Sequence, residues 1–272
     1  MPNPPTPLAL ITGASAGIGE AIARELASRG FHLALAARSR DVLDRLAAEL
    51  AANHGVKVHV FTSDLAAPDA AAKLVDQLAA AGLPNIDLLV NNAGFGLNER
   101  FWIGDRQRQL DMIQLNIASL TDLTHRLLPG MLNRRTGRIL NVASIAGFTP
   151  GPYQAVYFAT KAYVLSFSVA LHEELRAAGA GVTVTALCPG PVPTKFADAA
   201  GLTDAKLLKG PAVLSAQAVA KIGVRAAMAG KPIAVAGFIN TLTTWLTRLL
   251  PRWVAARLAA SLQRPAAGTG VA

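Results

Sequence analysis

The chain has 272 residues, of which 52% are hydrophobic, so it can bury the core of one large domain or of two smaller ones. Its single cysteine, Cys188, excludes an internal disulfide and favours a cytoplasmic location, and no apolar stretch reaches the ~18 residues of a membrane span. The net charge of +9 lies entirely after Asp204, and no basic stripe interleaved with aromatic residues indicates nucleic-acid binding.

Short aliphatic runs alternate along the chain with longer segments at helical spacing. This alternation predicts an α/β fold, a doubly wound parallel sheet of about seven strands with helices on both faces. With no linker or composition break, residues 1–237 are predicted to form one domain and residues 238–272 a helical appendage and tail. The predicted strands are Leu8–Thr12, His32–Ala36, Val56–Phe61, Leu88–Asn91, Arg138–Val142, Val182–Leu187 and Ile233–Ala236. The predicted helices include Ile18–Arg29, Val42–Asn53, Ala70–Ala80, Leu110–Leu128 and Tyr157–Ala177.

The stretch "TGASAGIG", Thr12 to Gly19, follows the first predicted strand and opens a helix. Gly13 can take a tight turn, Gly17 lets the backbone approach a pyrophosphate, and Gly19 allows the helix to pack closely on the sheet. The N-terminus of the helix favours the charge of a phosphate. A purely structural turn is the alternative, but the strand before and the helix after favour dinucleotide binding.

The end of the second predicted strand bears on the choice of nicotinamide. An NAD site places an acid there to bind the ribose 2′-hydroxyl, whereas this chain has Ala36 and Ala37, followed by Arg38. A guanidinium suits a 2′-phosphate, and Ser15 in the glycine turn can add a hydroxyl donor. The cofactor is therefore predicted to be NADP(H), with a solvated loop charge as the alternative reading of Arg38.

Further motifs follow in chain order. "NNAG" (91–94) comes after the fourth predicted strand, Tyr157 and Lys161 open a long helix, and "PGPVPT" (189–194) follows the sixth strand. With the T-G-x-x-x-G-x-G spacing of the glycine turn, they resemble the short-chain dehydrogenase/reductase family over roughly residues 6–237. The resemblance implies a Rossmann fold and an NADP(H)-preferring oxidoreductase of the carbonyl reductase type.

The resemblance also implies a set of cofactor-binding residues. Asp64 matches the family's adenine-binding aspartate, with a helix cap or turn residue as the alternative. Asn91 either lines the cofactor pocket or braces the central strand, and Thr194 matches the threonine that contacts the nicotinamide carboxamide. The implied cofactor residues are Gly13, Ser15, Gly17, Ile18, Gly19, Arg38, Asp64, Leu65, Asn91, Ala93, Gly94, Tyr157, Lys161, Pro189, Gly190, Val192 and Thr194.

Tyr157 and Lys161 are four residues apart and therefore share one face of a helix. A tyrosine is a poor acid at its usual pKa of ~10, and the lysine ammonium is expected to lower that pKa towards neutrality. By the resemblance, Ser144 holds the substrate oxygen, Lys161 reaches the nicotinamide ribose, and Asn116 holds a water linked to Lys161. The alternative is an amphipathic pair that snorkels from a surface helix. The five histidines lack metal-ligand spacing, so no metal site is predicted.

Apolar side chains are expected to wall the substrate pocket, and Lys195–Ser215 is expected to order over it as a lid. These walls favour a carbonyl or alcohol substrate with a hydrophobic body. The enzyme is also expected to be a homo-oligomer, a dimer or a tetramer. One alternative is a non-catalytic dinucleotide-sensing protein on the same fold. Another is a lipid or acyl-chain reductase docked on an anionic membrane or on an acidic acyl carrier protein. The expected wall residues are Phe95, Leu97, Phe148, Pro152, Tyr153 and Phe196.

The segment Phe238–Arg264 carries an apolar stripe at helical spacing, which Pro251 is expected to split into two helices. Because such a stripe is usually buried, it is expected to pack on the domain, cover the pocket or form a dimer contact. The weaker alternative is a helix in a membrane interface, which unbalanced arginines support. The stripe comprises Leu242, Trp245, Leu246, Leu249, Leu250, Trp253, Val254, Leu258 and Leu262, and the arginines are Arg248, Arg252 and Arg257.

Overall fold

Seven parallel strands form one sheet in the computed structural model, which describes residues 6–194, 210 and 212–263. The strands are β1 (Leu8–Thr12), β2 (His32–Ala37), β3 (Val58–Thr62), β4 (Leu88–Asn91), β5 (Gly137–Val142), β6 (Val182–Cys188) and β7 (Ile233–Val235). Their order in the sheet is β3-β2-β1-β4-β5-β6-β7. All five residues of β1 are buried, and Leu10 lies between Ala34 of β2 and Leu89 of β4. Such continuous burial is typical of a strand that is covered on both faces.

Helices cover both faces of the sheet, as the alternation predicts. One face packs against Ile22, Leu43 and Val219 from three helices, and the other packs against Leu74 and Leu123. The helices are α1 (Gly17–Ala27), α2 (Arg40–His54), α3 (Ala70–Ala80), α4 (Arg106–Ile113), α5 (Leu120–Arg134), α6 (Ala155–Ala177), α7 (Ala216–Met228), α8 (Phe238–Arg248) and α9 (Arg252–Gln263). A π-helical turn (Gln114–Ser119) joins α4 to α5, and a 3₁₀ turn (Ile145–Phe148) follows β5.

The order of the strands reverses between β1 and β4, because the chain crosses from the outer strand β3 back to the middle of the sheet. In open parallel sheets, ligands bind outside the carboxyl ends of the strands at this reversal. The loops after β1, β4, β5 and β6 all lie on that edge. They contain the glycine turn, "NNAG" and "PGPVPT", and the loop after β5 leads into α6, which carries Tyr157 and Lys161. The topology therefore brings the predicted site residues to one edge of the sheet.

All predicted strands, and all predicted helices but one, agree with the structure to within two residues at each end; a shifted strand and an interrupted helix are the two differences that bear on the core and the site. The strand predicted over Val56–Phe61 is observed at Val58–Thr62, with Val56 buried in the core just before it. The helix predicted over Leu110–Leu128 is interrupted by the π-helical turn, which widens the helix by one residue without disturbing its apolar spacing.

The C-terminal segment forms two helices, α8 and α9, and Pro251 separates them as predicted. The carbonyl oxygen of Pro251 accepts hydrogen bonds from the N–H groups of Val254 and Ala255 in the first turn of α9. The expectation that the apolar stripe packs on the domain is wrong for most of its residues, because their side chains face outward. Those exposed residues are Leu242, Trp245, Leu246, Leu249, Leu250, Trp253 and Leu258.

Within the described residues, no helix is both long enough and apolar enough to cross a bilayer. The boundary between the domain and the appendage at residue 237 stays a prediction, since α8 begins directly after it.

Candidate active site

The glycine turn lies against the end of β2, where Gly13 N donates a 2.8 Å hydrogen bond to Ala36 O. Gly13 has a φ of +65°, and a Cβ there would lie 2.9 Å from the Cα of Ala93, so the turn requires glycine. Helix α1 begins at Gly17, and the residue before it, Ala16, has no side chain that could cap the first turn. The N–H groups of that turn, which includes Ile18, therefore lack side-chain acceptors, as a phosphate site requires.

Two residues outside the predicted set hold this turn in place. Thr12 Oγ1 accepts hydrogen bonds from Asn92 N at 3.0 Å and Ala93 N at 3.1 Å, and it donates to Val90 O at 3.2 Å. Asn92 Nδ2 donates to Thr12 O at 2.9 Å and to Gly13 O at 3.1 Å. Both residues lie within the quoted motifs "TGASAGIG" and "NNAG", but the sequence does not reveal that their side chains join the two loops.

The first turn of α1 also packs against Asn92, whose amide joins the two loops. A Cβ at Gly19 would lie 2.3 Å from Asn92 Nδ2, so the glycine gives the amide its space. Ser15, at the centre of the turn, is half-buried. Together the turn and its bracing form a rigid cradle with the composition that a dinucleotide phosphate needs.

Arg38 is exposed directly after β2, next to the buried Ala36 and Ala37. It forms none of the salt bridges found among the described residues, whereas the nearby Arg40 pairs with Asp44. The structure therefore places an uncompensated cation beside the glycine turn, where the ribose end of a dinucleotide would lie.

Asp64 is exposed in the loop after β3, and its Oδ1 accepts a hydrogen bond from Ala66 N at 3.1 Å. It is thus a turn residue, while Asp69 occupies the N-cap position of α3. Leu65 is buried, and its carbonyl oxygen accepts a hydrogen bond from the hydroxyl of Ser119. The turn role of Asp64 leaves its second carboxylate oxygen available to a ligand, so the two predicted roles can coexist.

The side chain of Asn91 braces the sheet, as one of its two predicted roles requires. Its Nδ2 donates to Asn141 Oδ1 at 2.9 Å and to Thr124 Oγ1 at 3.1 Å. Asn141 Nδ2 in turn donates to Ser168 Oγ at 2.9 Å. This buried network joins β4 and β5 to α5 and α6, and it fixes the strand ends that carry the site.

Asn116 lies in the π-helical turn, and its amide is held by two segments. Its Oδ1 accepts from Phe95 N at 3.1 Å, and its Nδ2 donates to Phe95 O at 3.0 Å and to Thr160 Oγ1 at 3.1 Å. A Cβ at Gly94 would lie 2.9 Å from Asn116 Oδ1 and 3.6 Å from Lys161 Nζ, so both polar groups approach that glycine. The predicted water link from Asn116 to Lys161 stays a prediction.

Ser144, Tyr157 and Lys161 meet at the carboxyl end of β5, with exposed fractions of 8%, 9% and 6%. The hydroxyl groups of Ser144 and Tyr157 are hydrogen-bonded to each other. Ser144 Oγ also accepts from Ala146 N at 3.1 Å, which fixes the serine at the start of the 3₁₀ turn. Lys161 Nζ donates to Val142 O at 2.8 Å and lies 5.8 Å from the centre of the Tyr157 ring. The structure thus brings the three predicted catalytic side chains together.

Burial controls the acid–base properties of these groups. Burial raises the pKa of Tyr157 to about 12, against a smaller lowering by the Ser144 hydrogen bond. Burial lowers the pKa of Lys161 to about 8. The shift of Tyr157 is opposite to the expected one, because desolvation of the phenolate outweighs the lowering by the Ser144 hydrogen bond. Tyr157 therefore keeps its proton at neutral pH, and Lys161 stays charged below about pH 8.

The loop after β6 closes the site from the other side. Pro189 O accepts a hydrogen bond from Ile145 N at 3.0 Å, and Val192 is buried. Thr194 lies over the glycine turn, since a Cβ at Gly17 would be 3.2 Å from Thr194 Cβ. The predicted lid, Lys195–Ser215, lies almost entirely outside the described residues.

The loop after β6 also contains Gly190, and it follows Cys188, the last residue of β6. A Cβ at Gly190 would lie 2.4 Å from Asn240 Nδ2, so the loop packs directly on α8. Cys188 is fully buried, and burial raises the pKa of its thiol to about 12, so it is a packing residue and not a nucleophile. Among the described residues, no group of His, Cys, Asp and Glu side chains could hold a metal ion.

The predicted pocket walls divide into two groups. Leu97 and Phe95 pack with Tyr157 and Phe158 beside the catalytic side chains. Leu97 and Tyr153 also line a small cleft, together with Phe101, Val156 and the polar side chains of Glu99, Gln109 and Gln154. Phe148 lies on the other side, packed on the Cys188 cluster, with the Arg248 guanidinium 5.3 Å from its ring centre. Pro152 is half-buried, and Phe196 lies outside the described residues.

Comparison with known proteins gives consistent matches. A sequence model of the short chain dehydrogenase family matches residues 7–204. The very-long-chain 3-oxoacyl-CoA reductase of Bos taurus is 35% identical over 255 residues, which are 92% of this chain and 78% of that protein. The enzyme of the same name from Anas platyrhynchos is 39% identical over 194 residues, 69% of this chain but only 60% of the duck protein.

Solved structures are similar over most of the chain. A short-chain dehydrogenase from Sphingobium yanoikuyae in complex with NADPH superposes with a TM-score of 0.78 at 30% identity, covering 90% of this chain and 97% of that one. A short chain dehydrogenase/reductase from Burkholderia phymatum in complex with NAD also has a TM-score of 0.78, at 28% identity, covering 89% and 92%.

Proposed function

The chain belongs to the short-chain dehydrogenase family, and from that premise we propose that it is an NADPH-dependent reductase of carbonyl compounds with an apolar body. The observation that carries the proposal is the meeting of Ser144, Tyr157 and Lys161 at the carboxyl end of β5, opposite a glycine turn suited to a dinucleotide phosphate. A non-catalytic sensing protein would have no need for this buried set of three, so that alternative is not favoured.

Ser144, Tyr157 and Lys161 have different roles in the proposed reduction. A reduced nicotinamide supplies the hydride for the carbonyl carbon when it is bound. Ser144 is placed to donate a hydrogen bond to the carbonyl oxygen, and Tyr157 to give that oxygen its proton. The raised pKa of Tyr157 keeps the proton on the phenol until negative charge develops on the substrate oxygen beside it. Lys161, charged below about pH 8, then stabilises the tyrosinate that is left.

The preference for NADPH rests on Arg38. Among similar solved structures, two hold NADPH, one holds 5-hydroxy-NADP and one holds NAD, so they support NADP(H) but the family also includes NAD-bound members. Arg38 follows two alanines at the position where an NAD site has an acid, and no carboxylate among the described residues pairs with it. A free guanidinium at this place supports a ribose 2′-phosphate.

The substrate class is supported by the apolar walls and by the relatives. Phe95 and Leu97 beside Tyr157 favour an apolar substituent on the carbonyl. Because two curated relatives are named as very-long-chain 3-oxoacyl-CoA reductases, we include acyl thioesters with a 3-oxo group among the substrates. A homo-oligomer and a cytoplasmic location are further parts of the proposal, and light scattering and cell fractionation test them.

The experiment is a screen of NADPH consumption over ketones, aldehydes and 3-oxoacyl thioesters of graded chain length. We expect the catalytic efficiency to rise with chain length, since each buried methylene adds about 0.8 kcal/mol. Equal rates for all chain lengths would contradict the apolar pocket, and no NADPH consumption with any carbonyl would contradict the function.

Arg38→Ala tests the cofactor. It should weaken NADPH binding about ten- to a hundredfold, because a charge-assisted contact contributes ~1.5–3 kcal/mol, and it should leave NADH binding unchanged. Arg40→Ala is the matched control, as Arg40 is exposed two residues later and paired with Asp44. Equal weakening of both cofactors by Arg38→Ala would contradict the assignment.

A further inference from the structure

Helix α8 has an inverted distribution of polar and apolar residues. Its buried side chains are polar, Asn240 at 2% and Thr244 at 5% exposed. Its large apolar side chains are outside, with Trp245 at 63% and Leu246 at 54%, and Leu249 just after the helix at 82% exposed. A helix of a soluble domain normally has the opposite arrangement, with the apolar stripe on the core. The apolar face of α8 therefore has no partner within the described part of the chain.

The polar face is what fixes α8 to the domain. Asn240 Nδ2 donates to Ala236 O at 2.7 Å and to Ala212 O at 3.0 Å. The same amide fills the space beside Gly190. Because these contacts hold the helix by its polar side, the outward direction of the apolar side follows from the packing and does not depend on exposed side-chain rotamers.

All three tryptophans of the chain are exposed, and each has an arginine against its ring. The exposed fractions are 77% for Trp102, 63% for Trp245 and 62% for Trp253. The guanidinium groups of Arg100, Arg248 and Arg257 lie 5.9, 5.3 and 4.9 Å from the respective ring centres. Tryptophan and arginine together suit a boundary between acyl chains and anionic headgroups, where an apolar ring and a cation are both accommodated.

The charge of this region distinguishes a lipid surface from a second copy of the chain. No acidic residue follows Asp204, so α8 and α9 present Arg248, Arg252 and Arg257 without a balancing carboxylate on either helix. Two such faces brought together would repel each other. An anionic surface complements them, because each nearby cation gains free energy at a negatively charged leaflet.

The length of the helices decides how they would meet a bilayer. Helices α8 and α9 have 11 and 12 residues, which at 1.5 Å per residue is roughly half of the ~30 Å hydrocarbon core. They can lie in the interface but cannot cross it.

We propose that α8 and α9 form a docking surface for anionic lipid bilayers. Trp245, Leu246 and Leu249 enter the acyl boundary, and the arginines bind the headgroup phosphates. Phe148 connects this surface to the active-site edge, since Arg248 lies against both Phe148 and Trp245. Docking would therefore turn the mouth of the site towards the lipid.

The test is co-sedimentation of the full-length protein with phosphatidylcholine vesicles that contain or lack phosphatidylglycerol, at low and high salt. We expect binding on the order of tenfold tighter or more to the anionic vesicles at low salt, and its loss at high salt. Tryptophan emission should shift to the blue on binding, as the rings leave water. Equal binding to both vesicle types, or none to either, would overturn the proposal.

Matched variants distinguish lipid binding from contact with a second copy of the chain. Leu249→Gln combined with Trp245→Ser should abolish vesicle binding, whereas Leu132→Gln should not. Leu132 is also an exposed leucine, but it lies near the end of α5 at the opposite edge of the sheet. If the double variant instead changes the oligomeric state measured by light scattering without lipid, and wild type does not bind vesicles, the face is a contact between copies. These readouts do not use the reductase activity, so they stand if the proposed function fails.

Discussion

Helices α7 and α8 come directly before and after β7 in the chain, and they differ in the face that is buried: apolar in α7 and polar in α8. Helix α7 buries Val219 and Val224 and exposes Lys221 and Arg225, as a helix on a sheet should. Helix α8 buries an asparagine and a threonine and exposes its leucines and tryptophan. Both have apolar residues at helical spacing, so the spacing alone predicts a helix but not the face that meets water. Contacts with the rest of the chain decide that face.

Buried polar groups also differ between the two regions. In the sheet domain they include Ser144, Tyr157 and Lys161, which meet at the candidate catalytic edge. In α8, Asn240 attaches the helix, because its Nδ2 donates to Ala212 O outside the helix, whereas the Thr244 hydroxyl donates to Thr241 O within the helix. Substitutions of the first kind should change activity more than stability, and substitutions of the second kind should do the reverse.

The largest effect is expected from Tyr157→Phe. It removes the proton donor, so kcat should fall on the order of 10²- to 10⁴-fold while the fold and the NADPH affinity stay nearly unchanged. The measurement is NADPH oxidation with the best carbonyl substrate, with binding followed separately by fluorescence. Tyr163→Phe is the control, as Tyr163 is an exposed tyrosine later on the same helix. A Tyr157→Phe enzyme with substantial kcat would show that another group donates the proton.

A pair of leucine substitutions compares the two regions directly. Leu26→Ala removes a fully buried side chain from α1 and should lower the free energy of unfolding by about 2–5 kcal/mol. Leu246→Ala, on the outer face of α8, should change it by no more than about 0.5 kcal/mol. Chemical denaturation of both variants gives the comparison. A large loss for Leu246→Ala would mean that the outer face is covered in solution, by another copy of the chain for example.

Lys161→Met should abolish the activity and raise the free energy of unfolding at neutral pH. Below about pH 8 the ammonium is charged in both states, and its burial lowers the free energy of unfolding. As the pH rises from about 8 towards 10.5, the folded protein loses this proton before the unfolded chain does, so the free energy of unfolding of wild type should rise.

The methionine variant should therefore be more stable than wild type at pH 7, by about 1–3 kcal/mol, and should lack this rise. Its activity should be lost, because the cation beside Tyr157 is gone. Denaturation curves from pH 7 to about 9.5 measure both effects. A variant as stable as wild type with the same pH profile would mean that Lys161 is not desolvated.

Asn240→Ala should lower the free energy of unfolding by about 1–2 kcal/mol, since it leaves two backbone carbonyls without their donor. It should also raise the KM for NADPH, because the amide supports the loop at Gly190. Thr243→Ala is the control, as that hydroxyl is exposed and bonds within its own helix. No change in either quantity would indicate that α8 is attached by other contacts.

The sequence predicts the sheet well, because each strand is a short aliphatic run and each helix has a regular apolar period. The strand Leu88–Asn91 and the helix Ala70–Ala80 agree with the structure at both ends. The π-helical turn at Asn116 escapes prediction, because one extra residue in a turn leaves the apolar spacing almost unchanged. Local periodicity likewise could not place the stripe of α8, whose direction depends on the distant partners of Asn240.

The candidate catalytic residues could be predicted because their motifs are local and stand in a fixed order, and the structure brings them together. The direction of the Tyr157 pKa shift could not be predicted, since it depends on how completely the surrounding chain excludes water. Thr12 and Asn92 were missed as positioning residues for a similar reason. Their hydrogen bonds join loops that are about eighty residues apart, and only the folded sheet brings those loops together.

The most direct test of the central claim is the transfer of a labelled hydride. NADPH deuterated at its transferring carbon is incubated with the wild-type enzyme and an apolar ketone, and the alcohol product is analysed by mass spectrometry. The alcohol should carry one deuterium at the former carbonyl carbon, and Tyr157→Phe should form little of it. Oxidation of NADPH without deuterium in the alcohol, or equal labelling by the variant, would contradict hydride transfer at the site formed by Ser144, Tyr157 and Lys161.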